Sequence, residues 1–109
     1  MKCKNTLQKG SVKYVVFREG KTWYGAGLEF NIVESGDTPQ EAMLLLLEAL
    51  QGYVESARKI KARPYILNQK IDTEYAKMWE FSMERKGMNT NNIFTAGSFN
   101  IVNKALAPA

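Results

Sequence analysis

Residues 38–41, Thr-Pro-Gln-Glu, constrain the fold of this chain more than any other short segment. Thr38 is a favourable N-cap, Pro39 fits the first helical position, and Glu41 lies three residues after Thr38 and completes a capping box. An apolar stripe at helical spacing of about 100° per residue then follows. Its members are Ala42, Met43, Leu46, Ala49, Leu50, Tyr53 and Ala57, flanked by Leu47 and Val54. The pattern predicts an amphipathic helix that packs on a sheet.

The residues before this helix have the composition of β-strands. Residues 12–18 are rich in β-branched and aromatic side chains, 19–22 supply a turn, and 23–30 form a second extended run. Within that run, Gly25-Ala26-Gly27 indicates either a bulge or another chain lying close against the sheet. A short third strand over 32–35 ends at Gly36.

The part of the chain after the helix carries weaker signals. Pro64 breaks any continuing helix, and residues 65–67 are predicted as a final short strand. Asp72 or Thr73 can cap a second helix that runs to about Lys86 and stops at Gly87. Beyond it we predict a loop over 89–92, two short strands over 93–95 and 99–102 that pair with each other, and a disordered tail over 105–109.

Together these elements predict an α+β fold. A small antiparallel sheet, made of a hairpin and a short strand, packs against one amphipathic helix, and a second helix lies towards the C-terminus. The expected divisions are an N-terminal arm (1–11), a β-β-β-α-β domain (12–67), a C-terminal helical extension (68–104) and the tail (105–109).

The residue types argue against an enzyme. The chain has no histidine, which removes Ser-His-Asp and Cys-His triads and the usual zinc ligand sets. Cys3 is the single cysteine, and a lone thiol near the terminus is interpreted as incidental. Glu29, Glu34 and Asp37 could hold magnesium, but acids at such positions are more often solvated. We therefore predict no catalytic residue, no metal and no cofactor.

Charge is distributed unevenly along the chain. The net charge is +4, yet residues 26–56 contain six acidic residues and no Lys or Arg. This acidic segment is either a surface that attracts a basic partner or a solvated helix face. Leu44 projects from the side opposite the apolar stripe, among Glu48, Gln51 and Glu55, with Leu45 on the flank. It is either a single exposed leucine or part of a partner contact.

A basic stretch follows the predicted helix. Arg58, Lys59, Lys61 and Arg63, with Tyr65 after them, could grip phosphates and stack a base, as single-strand binders do. The alternative is that these charges complement the negative end of the helix dipole. The longest apolar run, 42–47, is far too short to span a bilayer, and the N-terminus has no apolar stretch typical of a secretory signal. We expect a cytoplasmic protein that does not contact a membrane.

The order of these motifs resembles the HicB antitoxin family. The resemblance rests on Tyr14-Val15-Val16-Phe17, then Trp23-Tyr24, then the segment from Ile32 to Ala42 that leads into a leucine-rich helix. It implies a partial ribonuclease-H-like sheet without nuclease residues. It also implies an antitoxin, dimeric or larger, that occludes a small basic HicA-like RNA-cleaving toxin. The residues we assign to partner binding are Glu29, Glu34, Leu44, Glu48 and Glu55.

The C-terminal part departs from that family pattern. Many members carry a C-terminal DNA-binding motif, whereas this chain offers one convincing helix there and lacks the second that such motifs require. Three hypotheses therefore follow, in this order: a HicB-like antitoxin, an orphan HicB-like domain acting as a homo-oligomeric structural or regulatory module, and an RNA or single-strand binder that uses residues 58–65.

Overall fold

The computed structural model describes residues 4–84 and 92–108, and within them one antiparallel sheet carries a helix on each face. Its five strands follow the order β3-β2-β1-β4-β5, so the first strand lies in the middle. This arrangement confirms the predicted α+β fold. The elements are β1 (Ser11–Glu19), β2 (Thr22–Gly27), β3 (Ile32–Gly36), α1 (Pro39–Lys59), a short 3-10 helix (Pro64–Leu67), α2 (Thr73–Glu84), β4 (Ile93–Asn100) and β5 (Leu106–Pro108).

The predicted hairpin is formed by β1 and β2. Gly20 lies in its turn with a φ of 62°, in the left-handed region that glycine adopts without a steric penalty. The register between the two strands is regular, with Val15 opposite Ala26, so β2 contains no bulge. Because side chains alternate along a strand, Tyr14 and Val16 face one side of the sheet while Val15 and Phe17 face the other.

Helix α1 begins where the capping box predicted. The Thr38 hydroxyl accepts a hydrogen bond from the Glu41 amide at 3.1 Å, and Glu41 Oε1 accepts one from the Asp37 amide at 2.7 Å. The first bond satisfies an amide that the first turn of a helix leaves without a partner, and the second engages the amide of Asp37, just before the cap residue. The helix start is therefore set by local chemistry.

The small residues of β2 allow α1 to approach the sheet closely. A Cβ added to Gly27 would lie 2.6 Å from Leu50 Cδ2, and one added to Gly25 would lie 3.0 Å from the Ala42 carbonyl oxygen. Of the two interpretations of Gly25-Ala26-Gly27, the structure shows a close approach to the sheet, and the approaching segment is α1. The buried residues on this face are Val12, Tyr14, Val16, Phe30, Ala42, Leu46, Leu50, Val54, Ala57, Leu67, Phe99 and Ile101.

Helix α2 covers the opposite face over β1 and β4. Its cap is Asp72, whose Oδ1 accepts a hydrogen bond from the Glu74 amide at 2.8 Å. Trp79 anchors the helix, because its indole Nε1 donates to the Gly97 carbonyl at 2.8 Å. The predicted helix end at Lys86 and Gly87 lies outside the described residues. The buried residues of this second core are Val15, Phe17, Ala26, Leu28 and Ala96.

Three sequence-based expectations for the later part of the chain were wrong. Residues 65–67 lie in the 3-10 helix, not in a strand. Residues 93–100 form one strand that pairs with β1, so 93–95 and 99–102 do not pair with each other. Leu106–Pro108, inside the expected disordered tail, pairs with β4 as β5. The segment expected to be a helical extension thus adds the inner strand β4 to the sheet, between β1 and β5.

Helix length and hydropathy decide whether a helix could cross a membrane. No helix within residues 4–84 and 92–108 combines the length and the apolar character needed to cross a bilayer. The longest, α1, has 21 residues but carries charges along its exposed side.

Candidate interaction surface

The exposed side of α1 is a surface that the contacts of the fold leave uncovered. We call it the outer face of α1. Leu44 is 57% exposed there and Leu45 is 36% exposed, as predicted from their positions off the apolar stripe. Two adjacent leucines in water are an unfavourable arrangement that a bound partner would relieve. The outer face consists of Glu41, Leu44, Leu45, Glu48, Gly52, Glu55, Ser56 and Lys59.

Acidic side chains surround these leucines. The Glu48 carboxylate is exposed and has no hydrogen bond or ion pair with any residue that the structure describes. Glu55 is also exposed, but its carboxylate forms an ion pair with Lys104 at 3.0 Å. The predicted partner-binding residues Leu44, Glu48 and Glu55 therefore share one helix face, and Glu48 is the most available of its acids.

Glu29, in contrast, does not belong to a partner-binding surface. It is 6% exposed. Its Oε1 accepts a hydrogen bond from the Lys13 amide at 2.7 Å, and its Oε2 pairs with Lys13 Nζ at 2.8 Å. The Lys13 ammonium in turn lies 5.6 Å from the centre of the Trp79 ring. Glu29 is thus part of the contact between the sheet and α2, and its burial argues against the predicted role in partner binding.

The remaining acids of the predicted sites lie apart from Glu29. Glu34 is half-buried on edge strand β3 opposite Gly25, on the side of the sheet that α1 covers. Asp37 is exposed beside the α1 cap. Within the described residues no three His, Cys, Asp or Glu side chains form a group that could hold a metal ion. Cys3 lies outside those residues.

The predicted basic residues lie at the other end of α1. The Arg58 guanidinium donates to the carbonyls of Leu7 at 3.0 Å and Ile101 at 3.4 Å, so it ties the end of the helix to two other segments. Lys59, Lys61 and Arg63 are exposed. Tyr65 follows them with 66% of its surface exposed. The structure therefore brings all five residues to one end of the molecule.

A contact that the sequence did not predict fixes the N-terminal segment at this end. Asn5 is fully buried, and its backbone and side chain form hydrogen bonds with Asn68 and Leu67 over distances of 2.8–2.9 Å. Residues 4–10 are consequently a docked turn, and Lys4 and Lys9 join the basic end. Asparagine carries no sequence signal that distinguishes such a long-range pairing from an ordinary loop.

Three tyrosines have perturbed acidities. Burial raises the pKa of the Tyr14, Tyr53 and Tyr75 phenols above the usual 10. For Tyr53 a hydrogen bond from Gln69 acts in the opposite direction, and for Tyr75 the nearby Asp72 raises the pKa further. These shifts move the phenols further from neutral pH, so all three are uncharged there.

Comparison with known proteins gives no evidence on function, so the evidence comes from the chemistry of these surfaces. No protein-family model, curated protein or solved structure matches this chain.

Proposed function

We propose that this protein is a HicB-like antitoxin that binds a small basic RNA-cleaving toxin through the outer face of α1. The observation that carries the proposal is the pair of exposed leucines, Leu44 and Leu45, next to the unpaired carboxylate of Glu48. The family resemblance over residues 12–58 supports it, as does the absence of histidine from the chain.

The physical basis is an apolar centre with a charged rim. Burying a leucine side chain completely contributes about 1.5–3 kcal/mol, and Leu44 has 57% of its surface left to bury. Acidic residues around it, Glu41 and Glu48, speed the encounter with a basic partner and disfavour acidic ones. The binding protein would catalyse nothing: it would cover the active surface of the toxin and keep RNA away from it.

Co-expression with the product of a neighbouring gene for a short basic protein tests this function. We expect a stable complex and relief of toxicity, and we expect Leu44→Glu to abolish both. Val33→Glu is the matched control, because Val33 is 41% exposed and lies on β3 opposite Ala26, on the face of the sheet away from α1. Failure of the natural chain to form the complex, or equal loss with both variants, would show that the proposal is wrong.

The same helix favours a second candidate function, a homo-oligomeric module. Gly52 lies in the middle of the outer face with nothing near the position of an added Cβ. Two copies of α1 crossing antiparallel at Gly52 would bring the acidic first turn of one copy to the basic last turn of the other.

Light scattering of Leu44→Glu separates the two candidates, because the family resemblance also implies a dimer or larger for the antitoxin. A homodimer formed through the outer face of α1 predicts twice the chain mass of 12.3 kDa, with a shift to the monomer mass in Leu44→Glu. The antitoxin proposal predicts that Ile60→Glu leaves the toxin complex intact, since Ile60 lies at the far end of the helix. A monomer mass for the natural chain excludes the homodimer and leaves the outer face free for a toxin.

A further inference from the structure

The basic end of the molecule combines cations from two segments that are distant in the sequence. Asn5 joins the segments through its hydrogen bonds to Leu67 and Asn68. Neither residues 4–10 nor residues 56–68 contain an Asp or Glu. The resulting surface has six cationic side chains and no acidic residue from either segment. These cations are Lys4, Lys9, Arg58, Lys59, Lys61 and Arg63.

A cleft of about 530 Å³ opens between the two segments. Arg58 and Lys61 lie along it, and its apolar lining includes Leu7, Pro64 and Leu67. The volume is within the range of small-molecule sites, roughly 300–1,000 Å³, and suits a unit about the size of a nucleotide. With Thr6 and Gln8 also in the lining, the cleft combines polar and apolar surface with positive charge.

The identity of residue 61 is not explained by folding. Lys61 follows the C-cap of α1 with a φ of 51°, in the left-handed region where glycine is the usual residue. A lysine is unfavourable in this conformation, so helix termination alone would select against it. Its long cationic side chain at the edge of the cleft gives a reason for its presence.

Exposed groups beside the cleft complete the arrangement. The Tyr65 ring is 66% exposed, which leaves a face free for stacking. Lys59 and Arg63 are exposed, and their side chains form no hydrogen bond or ion pair with the part of the chain that the structure describes. Charged groups held by one protein usually neutralise one another, whereas these remain available to an external anion.

We propose that this cleft binds single-stranded nucleic acid. Lys59, Lys61 and Arg63 contact consecutive phosphates, and Tyr65 stacks on a base at the mouth of the cleft. Arg58 contributes positive charge while it stays bonded to the Leu7 carbonyl. This surface is separate from the leucines of the outer face of α1, so the proposal does not depend on toxin binding.

The shape of the surface favours a single strand over other anions. The bases of a duplex are stacked inside the helix, so a duplex offers no free base for the Tyr65 ring or for a nucleotide-sized cleft. A lipid surface contacts a protein through projecting apolar side chains and needs no concave site. An acidic peptide would satisfy the cations but would leave the exposed aromatic ring without a matching planar group.

Fluorescence anisotropy with a labelled oligouridylate of twelve nucleotides tests the proposal on the full chain. We expect binding that weakens as salt is raised. Replacing both Lys61 and Arg63 by glutamine should weaken it at least about tenfold and reduce the slope of log affinity against log salt by about 1.4, since each phosphate contact contributes about 0.7 for single strands. Tyr65→Ala should weaken binding about tenfold and leave the salt slope unchanged.

A charge-matched control guards against a general effect of net charge. Lys21 and Lys77 are exposed on the hairpin turn and on α2, so Lys21→Gln with Lys77→Gln removes the same charge elsewhere. The proposal fails if this control weakens binding as much as the Lys61 and Arg63 pair, or if Tyr65→Ala has no effect. It also fails if duplex RNA, an acidic peptide or phosphatidylserine vesicles bind more tightly than the oligouridylate. Circular dichroism verifies that each variant is folded.

Discussion

Replacement of Glu29 by glutamine should destabilise the protein without touching its exposed surfaces. Glu29 is 6% exposed and bonds both the backbone amide and the ammonium group of Lys13. Glutamine keeps an oxygen for the Lys13 amide but loses the negative charge that compensates the ammonium. The Lys13 side chain is 29% exposed, so water compensates for only part of that loss.

The size of the effect follows from the burial of the two partners. Removing one member of a fully buried ion pair costs about 3–5 kcal/mol. Because the ammonium is partly solvated, we expect about 2–3 kcal/mol for Glu29→Gln. Glu29→Ala should cost about 1–3 kcal/mol more, since it also leaves the Lys13 amide without an acceptor.

Urea unfolding followed by circular dichroism and by the fluorescence of Trp23 and Trp79 measures these values. Lys13→Met serves as the companion variant, and the double variant Lys13→Met with Glu29→Gln should be less destabilised than the sum of the two single variants by about 1–3 kcal/mol. A loss below about 0.5 kcal/mol for Glu29→Gln, or strict additivity, would refute the reasoning. Either result would show that the Glu29–Lys13 ion pair contributes little to stability.

Three further predictions concern the helix, the sheet and the phenols. Gly52→Ala should raise the free energy of unfolding by about 0.5–1 kcal/mol, because its added methyl group meets only open space. Gly27→Ala should lower the free energy of unfolding by about 1–3 kcal/mol, because its methyl group meets Leu50. Equal effects of the two variants in urea unfolding would contradict the close packing of α1 on β2. Thr38→Ala should lower the free energy of unfolding by about 1 kcal/mol through loss of the helix cap. An unchanged urea midpoint would show that the cap contributes little to stability. Within the described residues the buried Tyr14 hydroxyl forms no hydrogen bond of good geometry, although the Thr95 side chain lies near enough to lower its pKa slightly, so Tyr14→Phe should be neutral or stabilising at pH 7. Since burial raises the folded-state pKa of Tyr14 above 10, stability should fall as pH rises beyond 10, and Tyr14→Phe should reduce that fall in a pH series of unfolding curves.

Local chemistry was predictable from the sequence, and long-range pairing was not. Thr38 and Glu41 act on amides within a few residues, so their spacing alone predicted the helix start. Glu29 was assigned to a surface because its ion pair depends on Lys13, which the fold of the hairpin brings beside it. Burial of a charge cannot be inferred from composition when its partner lies on another strand.

The same distinction applies to the candidate surfaces. Leu44 was placed outside the core from helical periodicity, and its exposure agrees with that placement. The sequence predicts only the cations of residues 58–63 at the basic end. Residues 4–10 join them through hydrogen bonds between Asn5 and Asn68, which lie far apart in the chain. Strand β4 was misassigned for a similar reason, since its partner β1 lies near the opposite end of the chain.

The central position of β1 has a consequence for how the chain folds during synthesis. Val15 pairs with Ala26 on one side and with Ala96 on the other. At about 5–20 residues per second, β4 leaves the ribosome on the order of several seconds after β2. In that interval the hairpin and α1 can form, while the other edge of β1 presents unpaired amides and carbonyls next to apolar side chains. Completion of the sheet by this non-local pairing should limit the folding rate, and truncations that remove β4 should aggregate.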